Sequence, residues 1–354
     1  MITCKQCGNT YDESYGVCPK CGRPCERKLT KNSKAKLITI LSIAGVVLVG
    51  VIIALVVVFS QPNAQEQVKE QPSLDESYPS EENYDEDYGE AIASGTCGKD
   101  GNNLTWRLGE NGTLIISGNG EMEDFEYSDE PWYSYKDNIK KAVIQFGVTN
   151  IGKYAFSCCI GITDIKIPNS VTSIGESAFY ECTALTEIKI PNSVTNIGDY
   201  AFHNCTALTD MEIPNSVTSI GNGVFSCCSG MTSIEIPDTV ISIGDYAFNE
   251  CSSLNNIEIP NGVTSIGDSA FLRCSGLTEM KIPNSVTSIG ENAFSRCTGL
   301  TSIEIPNSVT KIGVFAFNDW TSSQTIYIKG RSSAPATWDK NWNYKCNANI
   351  VWNA

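Results

Sequence analysis

A 23-residue repeat decides what this chain can fold into. From Ile167 the segment IPNSVTSIGESAFYECTALTEIK recurs without insertion or deletion. Ile-Pro pairs begin at residues 167, 190, 213, 236, 259, 282 and 305. A unit of this length cannot bury an apolar face alone, so successive units must stack and share one core. The repeat therefore predicts a mainly β solenoid.

Every repeat carries the same internal pattern. In Leu185-x-x-Ile188-x-Ile190 apolar residues alternate as in a short strand, and Val194-x-x-Ile197 offers a second extended piece. A glycine and then an Ala-Phe pair follow, and we expect the phenylalanine to fill the interior. The pattern predicts about eight coils over residues 142–328. The phenylalanines are Phe156, Phe179, Phe202, Phe225, Phe248, Phe271, Phe294 and Phe317.

The pattern LxxIxIPxxVxxIGxxAFxxC resembles the BspA-like leucine-rich repeats of bacterial surface proteins. The resemblance covers about residues 142–328 and recurs in phase. It implies a curved solenoid with a parallel sheet on its concave face, and a role in adhesion or protein binding. The functional residues of that family do not form a fixed motif, so none is transferred to this chain.

A column of cysteines follows the phenylalanines. A ladder of metal ions or disulfides is one interpretation, but free cysteine packs well as a small hydrophobe, and we expect a buried stack. Cys158 and Cys227 lie one position earlier, where other coils carry polar residues, and are expected to be exposed. The column comprises Cys159, Cys182, Cys205, Cys228, Cys251, Cys274 and Cys297.

The segments flanking the repeat should cover its open ends. In the N-terminal cap, residues 94–141, alternating runs at 104–108 and 113–117 surround Gly109-Glu110-Asn111-Gly112 and predict a β-hairpin. Pro131-Trp132-Tyr133 resembles the segment that precedes such repeats in bacterial surface proteins. In the C-terminal cap, residues 329–354, we expect the aromatic residues to form cap core. These are Trp338, Trp342, Tyr344 and Trp352.

The first 25 residues predict a metal site. Cys4, Cys7, Cys18 and Cys21 form two CxxCG motifs separated by ten residues, and four thiolates suit structural Zn²⁺. The stretch resembles the short zinc ribbons that open many bacterial membrane proteins. Two disulfides or a redox CxxC are the alternatives. Cys25 has no assigned role.

A membrane anchor is predicted next. Residues 26–36 are basic, and 37–59 contain no charge over 23 residues, enough to span a bilayer as a helix. Residues 60–93 carry ten acidic residues against one lysine and should form a disordered linker. The positive-inside rule predicts a single-pass protein of the plasma membrane, with a cytoplasmic N-terminus and an extracellular solenoid. A cleaved secretion signal is the alternative.

Composition limits the function classes. Of the net charge of −15, residues 1–36 contribute +5 and residues 60–93 contribute −9, which leaves −11 for the remainder. An acidic solenoid disfavours nucleic acid as a partner. With a single histidine and no phosphate loop or nucleophile elbow, we expect no enzyme.

We expect instead a surface module that binds an extracellular protein or glycan. The alternatives are a signalling or scaffolding protein whose zinc ribbon recruits a cytoplasmic protein, and a purely structural envelope protein. Variable positions near each phenylalanine carry the candidate partner contacts. These are Tyr154, Tyr180, Tyr200, His203 and Tyr246.

Overall fold

The computed structural model describes residues 88–354 and, nearer the N-terminus, the two strands Ile2–Thr3 and Thr10–Tyr11. The chain divides into two compact units, Met1–Tyr78 and Pro79–Ala354. In the first unit β1 (Ile2–Thr3) pairs antiparallel with β2 (Thr10–Tyr11). The predicted zinc ligands and the predicted membrane segment lie outside the described residues.

The second unit opens with an antiparallel meander. β3 (Ala91–Gly98) pairs with β4 (Gly101–Gly109), and β4 pairs with β5 (Thr113–Gly118). The β4–β5 pair is the predicted hairpin. A short 3₁₀ helix, Tyr133–Asn138, follows. From β5 onward the pairing becomes parallel, so the hairpin is built directly onto the first strand of the solenoid.

One side of the solenoid is a series of parallel strands. Where successive coils both form a strand, the two strands pair, as Ile303 opposite Ile326 shows for a 23-residue step. No full strand forms on this side between Lys166 and Asn256, and within that stretch a single bridge joins Glu212 and Glu235. The strands on this side are β6 (Lys141–Ile144), β8 (Asp164–Lys166), β11 (Asn256–Glu258), β13 (Glu279–Lys281), β15 (Ser302–Ile305), β17 (Thr325–Ile328) and β18 (Asn349–Trp352).

The last strand comes from the region predicted as a cap. β18 pairs parallel with β17, and Ile326 lies opposite Ile350, a step of 24 residues rather than 23. The C-terminal segment therefore extends the sheet as well as covering its end. The solenoid has about nine turns in all.

A second set of short parallel strands forms from the predicted second extended piece of each repeat. Isolated bridges from Ile220 to Ile243 and from Ile243 to Ile266 extend the later group of strands towards the earlier group. Its strands are β7 (Asn150–Ile151), β9 (Ser173–Ile174), β10 (Asn196–Ile197), β12 (Ser265–Ile266), β14 (Ser288–Ile289) and β16 (Lys311–Ile312).

The eight phenylalanines form one continuous stack inside the solenoid. Neighbouring ring centroids lie 5.2–5.8 Å apart, with interplanar angles of 1–16°. Trp132 covers the N-terminal end, 5.9 Å from Phe156, and Trp342 contacts Phe317 at the other end at 5.8 Å. Burial of these rings and of the branched aliphatic side chains around them supplies the main stabilising term.

The cysteine column is buried, as predicted, and its thiols have a role the sequence did not suggest. From Cys182 to Cys297, each thiol donates to the carbonyl of the phenylalanine 26 residues earlier, at 3.0–3.2 Å. In the final coil the indole N–H of Trp320 donates to Phe294 O at 2.8 Å. Between residues 88 and 354 every cysteine is free.

The C-terminal aromatics are only partly the expected cap core. Trp338 and Trp342 are buried, and their rings meet at 5.2 Å. Tyr344, by contrast, is exposed, and Trp352 is half-buried. Polar contacts complete this end, since Gln324 Nε2 donates to Cys297 O and Leu300 O.

No helix within the described part of the chain is long and apolar enough to cross a membrane. The segment predicted to do so, residues 37–59, lies outside the described residues.

Candidate binding surface

The turn that contains each phenylalanine holds its outer side chains in a fixed arrangement. Residues two before and two after the phenylalanine adopt left-handed backbone conformations, as at Tyr154 (φ 56°) and Cys158 (φ 56°). The same holds in all eight coils, although only Gly223 is a glycine. Backbone amides there donate to the next coil, for example Tyr154 N to Glu176 O at 3.1 Å. We call residues 153–158 and their equivalents in later coils the turn surface.

Five aromatic side chains meet at the N-terminal end of the turn surface. Tyr127 contacts Tyr154 edge to face at 5.7 Å and Tyr180 at 6.4 Å. His203 stacks on Tyr180 at 4.8 Å and meets Tyr200 edge to face at 6.0 Å. We call these five residues the aromatic cluster.

The cluster is open to solvent. Tyr127 is 55% exposed and Tyr200 is 36% exposed, while the other three members are partly buried. Four of the five predicted partner contacts thus lie together. Tyr246 is exposed but lies two coils beyond Tyr200, and within residues 88–354 it makes none of the ring contacts that join the cluster.

Gly223 explains how Tyr200 is placed. A Cβ atom at Gly223 would lie 2.3 Å from Tyr200 Cδ1, so the ring rests directly on the glycine backbone of the next coil. A side chain at this position would displace the ring. The glycine in this column therefore favours the observed position of Tyr200.

The structure corrects the expectation that Cys158 and Cys227 are exposed. Cys158 is only 6% exposed, because Tyr127 reaches over it from the N-terminal cap. Its Sγ lies 3.3 Å from Tyr127 Oη and donates to Glu181 Oε2 at 3.7 Å. Cys227 is half-buried beside Ser226. The spacing rule failed because it ignored residues that the cap contributes.

Tyr127 is the member of the cluster that sequence reasoning missed. It lies in a non-repeating segment, so no column of the repeat draws attention to it. The only available signal was its position close to Pro131-Trp132-Tyr133, the segment expected to cover the first coil.

Carboxylates surround the aromatic cluster. Lys153 pairs with Glu176 at 3.2 Å and also places its ammonium 5.1 Å from the centre of the Tyr154 ring. Glu181 accepts from the Cys158 thiol, and Asp199 accepts from the backbone and side chain of Asn222. The cluster is therefore bordered by negative charge.

Local contacts favour the uncharged forms of Tyr127, Tyr180, Tyr200 and His203. The hydrogen bond with Cys158 raises the pKa of Tyr127 to about 12. Burial first, and then Glu181, raises the pKa of Tyr180, and burial with Asp199 raises that of Tyr200. Burial lowers the pKa of His203 from its usual value, so the imidazole adds no positive charge.

The sheet side of the solenoid is different. Its outward column of charged residues is exposed, as expected, and towards its C-terminal end positive and negative charges adjoin each other. Lys281 lies beside Glu258 and Glu304, and Glu304 also pairs with Lys329 at 3.1 Å. The column consists of Lys166, Lys189, Glu212, Glu235, Glu258, Lys281 and Glu304.

Among the described residues, no group of three or more His, Cys, Asp or Glu side chains could hold a metal ion. The predicted ligands Cys4, Cys7, Cys18 and Cys21, and also Cys25, lie in the part of the chain that the structure does not describe.

The repeat matches a known family. The model of the BspA type leucine-rich repeat region matches in six copies over residues 129–231 and 218–347, which is more than half of the chain. The chain belongs to the BspA-type leucine-rich repeat family. Leucine-rich repeat solenoids of this kind are recognised binding scaffolds rather than catalytic folds.

The chain is also similar to solved leucine-rich repeat proteins. The chain is 28% identical to a leucine-rich repeat protein from Eubacterium ventriosum, with a TM-score of 0.52 over 68% of this chain and 73% of that one. It is 23% identical to a leucine-rich cell surface protein from Faecalibacterium prausnitzii, with a TM-score of 0.36 over 75% of this chain and 96% of that one. No curated protein matches the sequence.

Proposed function

We propose that this BspA-type protein is a membrane-anchored surface module whose solenoid binds an extracellular protein. The observation that carries the proposal is the turn surface, where a rigid and repeated backbone displays a solvent-exposed cluster of aromatic side chains. Tyrosine is favoured in protein interfaces because it offers a large contact area with few rotatable bonds. A rigid scaffold also lowers the entropy lost on binding.

The membrane anchor is part of this proposal. Its support is the uncharged run at 37–59 with basic residues on its N-terminal side only, which favours an extracellular solenoid. The acidic stretch ahead of β3 (Ala91–Gly98) would then act as a spacer between the bilayer and the folded repeat.

A zinc ribbon near the N-terminus is also part of the proposal. The four cysteines are spaced as Zn²⁺ ligands, and the antiparallel pair β1–β2 flanks Cys4 and Cys7 in sequence. Metal analysis of the purified full chain should find about one Zn²⁺ per molecule, and the Cys18→Ser variant should lose most of it. Full retention of zinc by that variant would remove the ribbon from the proposal.

Protease treatment of intact cells tests the proposed display. One antibody should recognise the solenoid and another the first 36 residues. We expect the solenoid to be digested while the N-terminus survives, and both to be digested after lysis. A solenoid that resists protease until the cells are lysed would refute a surface-binding function.

A further inference from the structure

We propose that the aromatic cluster and its carboxylates bind a lysine- or arginine-bearing segment of a partner protein. This inference rests on the proposed function and names the chemistry of the partner. The juxtaposition that carries it is Tyr154, Tyr180, Tyr200 and His203 beside Glu181 and Asp199, with Tyr127 joining them from the cap.

The aromatic faces of the cluster already accept a cation. The Lys153 ammonium lies 5.1 Å from the centre of the Tyr154 ring, within the range of a cation–π contact. Tyr127 and Tyr200 expose ring surface that no cation in residues 88–354 covers. Arginine and lysine both favour such faces, and arginine stacks on them with its planar guanidinium.

The charge at the cluster is complementary to a basic segment. Within residues 88–354, Glu181, Asp199 and Asp245 form no ion pair. Their donors are neutral: the Cys158 thiol contacts Glu181, Asn222 donates to Asp199, and the Asp268 backbone amide donates to Asp245 at 2.7 Å. A guanidinium or ammonium arriving here would find carboxylates without a cationic partner.

The opposite end of the turn surface lacks these features. At the position of Glu181, later coils carry Glu250, Arg273, Arg296 and Asp319, and each of these carboxylates pairs with an arginine. At the position of Tyr180, the last three coils carry Leu272 and small polar residues. The aromatic cluster and carboxylates without a cationic partner coincide in the first coils of the turn surface, and we place the site there.

A synthetic peptide tests the proposal with the full chain in detergent. The probe is a fluorescein-labelled peptide of alternating Arg and Ser, and its matched control replaces each arginine by citrulline, which has the same shape without the charge. Fluorescence anisotropy measures both affinities. We expect the arginine peptide to bind at least about tenfold more tightly, since loss of the charge removes cation–π and carboxylate contacts together.

The repeat provides conservative variants. Tyr180→Ser and Glu181→Asn each introduce a residue that another coil carries at the same position, namely Ser157 and Asn204. Each should lower the affinity for the arginine peptide about three- to tenfold. The matched controls Leu272→Ser and Glu291→Asn lie in later coils and should leave the affinity unchanged. Thermal denaturation shows whether each variant is folded.

Three results would overturn the proposal. They are equal affinity for the arginine and citrulline peptides, no binding of the arginine peptide at about 1 mM, and equal loss in the control variants. A neutral oligosaccharide that binds and is lost on Tyr180→Ser would assign the cluster to a glycan instead. Protease sensitivity on intact cells is independent of these outcomes, so the proposed function can stand if this inference fails.

Discussion

The burial of Glu130 leads to a specific prediction about how the stability of the protein depends on pH. The side chain is 2% exposed in the N-terminal cap, and within the described residues neither carboxylate oxygen has a hydrogen-bond partner in another residue. Burial raises its pKa to about 7 from a usual value of 4.5, although its own backbone amide and Lys136 act in the opposite direction. The folded protein therefore holds a proton between pH 4.5 and 7 that the unfolded chain releases.

The sign and size of the effect follow from this difference. Because the folded state binds more protons, stability is fully present below the unfolded pKa and is lost as pH rises through the folded pKa. Each pKa unit corresponds to about 1.4 kcal/mol, so a shift from 4.5 to about 7 amounts to about 3 kcal/mol. Water entering the cap at the end of the solenoid would reduce this, and we expect about 2 kcal/mol.

The assay compares urea unfolding at about pH 5 and about pH 8 for the native chain and Glu130→Gln. The amide cannot titrate, so the variant should lose about 2 kcal/mol less than the native chain on going to the higher pH. The other carboxylates are the same in both proteins, so their contributions to the pH dependence cancel in the comparison. Glu279→Gln, at an exposed position, is the control and should behave as the native chain does.

A second variant covers the case in which a buried glutamine amide unfolds the cap. Glu130→Met has no polar group to bury and should likewise lose the pH dependence. If both variants keep the full pH dependence of the native chain, Glu130 is not the titrating group and the reasoning is wrong.

Three further predictions concern the repeat itself. Phe248→Ala, which removes one ring from the middle of the stack, should destabilise the solenoid by about 3–5 kcal/mol in thermal denaturation, and a loss below about 1 kcal/mol would contradict a shared core. In the solenoid, iodoacetamide should modify the half-buried Cys227 before the fully buried cysteine column, because burial shields those thiols and raises their pKa values. Mass spectrometry of digests would show the order of modification. Ser177 has a left-handed backbone conformation (φ 53°) at the position that Gly223 occupies in another coil. Because glycine adopts this conformation without strain, Ser177→Gly should stabilise the solenoid by about 0.5–1 kcal/mol. A lower melting temperature than that of the native chain would contradict this prediction.

Much of the solenoid could be predicted because its repeat is strict. The alternation around Ile188 and Ile190, the glycine and the phenylalanine each occupy one place per coil, so a single pattern fixes many residues at once. The hairpin was predicted from turn chemistry at Gly109 to Gly112 for the same local reason.

The remaining features depend on contacts that no periodic pattern contains. The burial of Cys158 and the position of Tyr127 arise where the cap folds over the first coil, and Glu130 is buried by the same segment. The thiol contacts of the cysteine column require the observed stacking distance, which the sequence does not state. Left-handed conformations at non-glycine residues such as Tyr154 run against the usual steric preference and were not predicted.

Hydrogen exchange with mass spectrometry is the most direct test of where this protein binds. The full chain is compared with and without the arginine peptide, and protection is mapped onto the sequence. We expect added protection in residues 124–129 and 153–204, where the aromatic cluster and its carboxylates lie. Protection confined to the strands from Asn256 to Ile328 would contradict it, because that result would place binding on the sheet side of the solenoid.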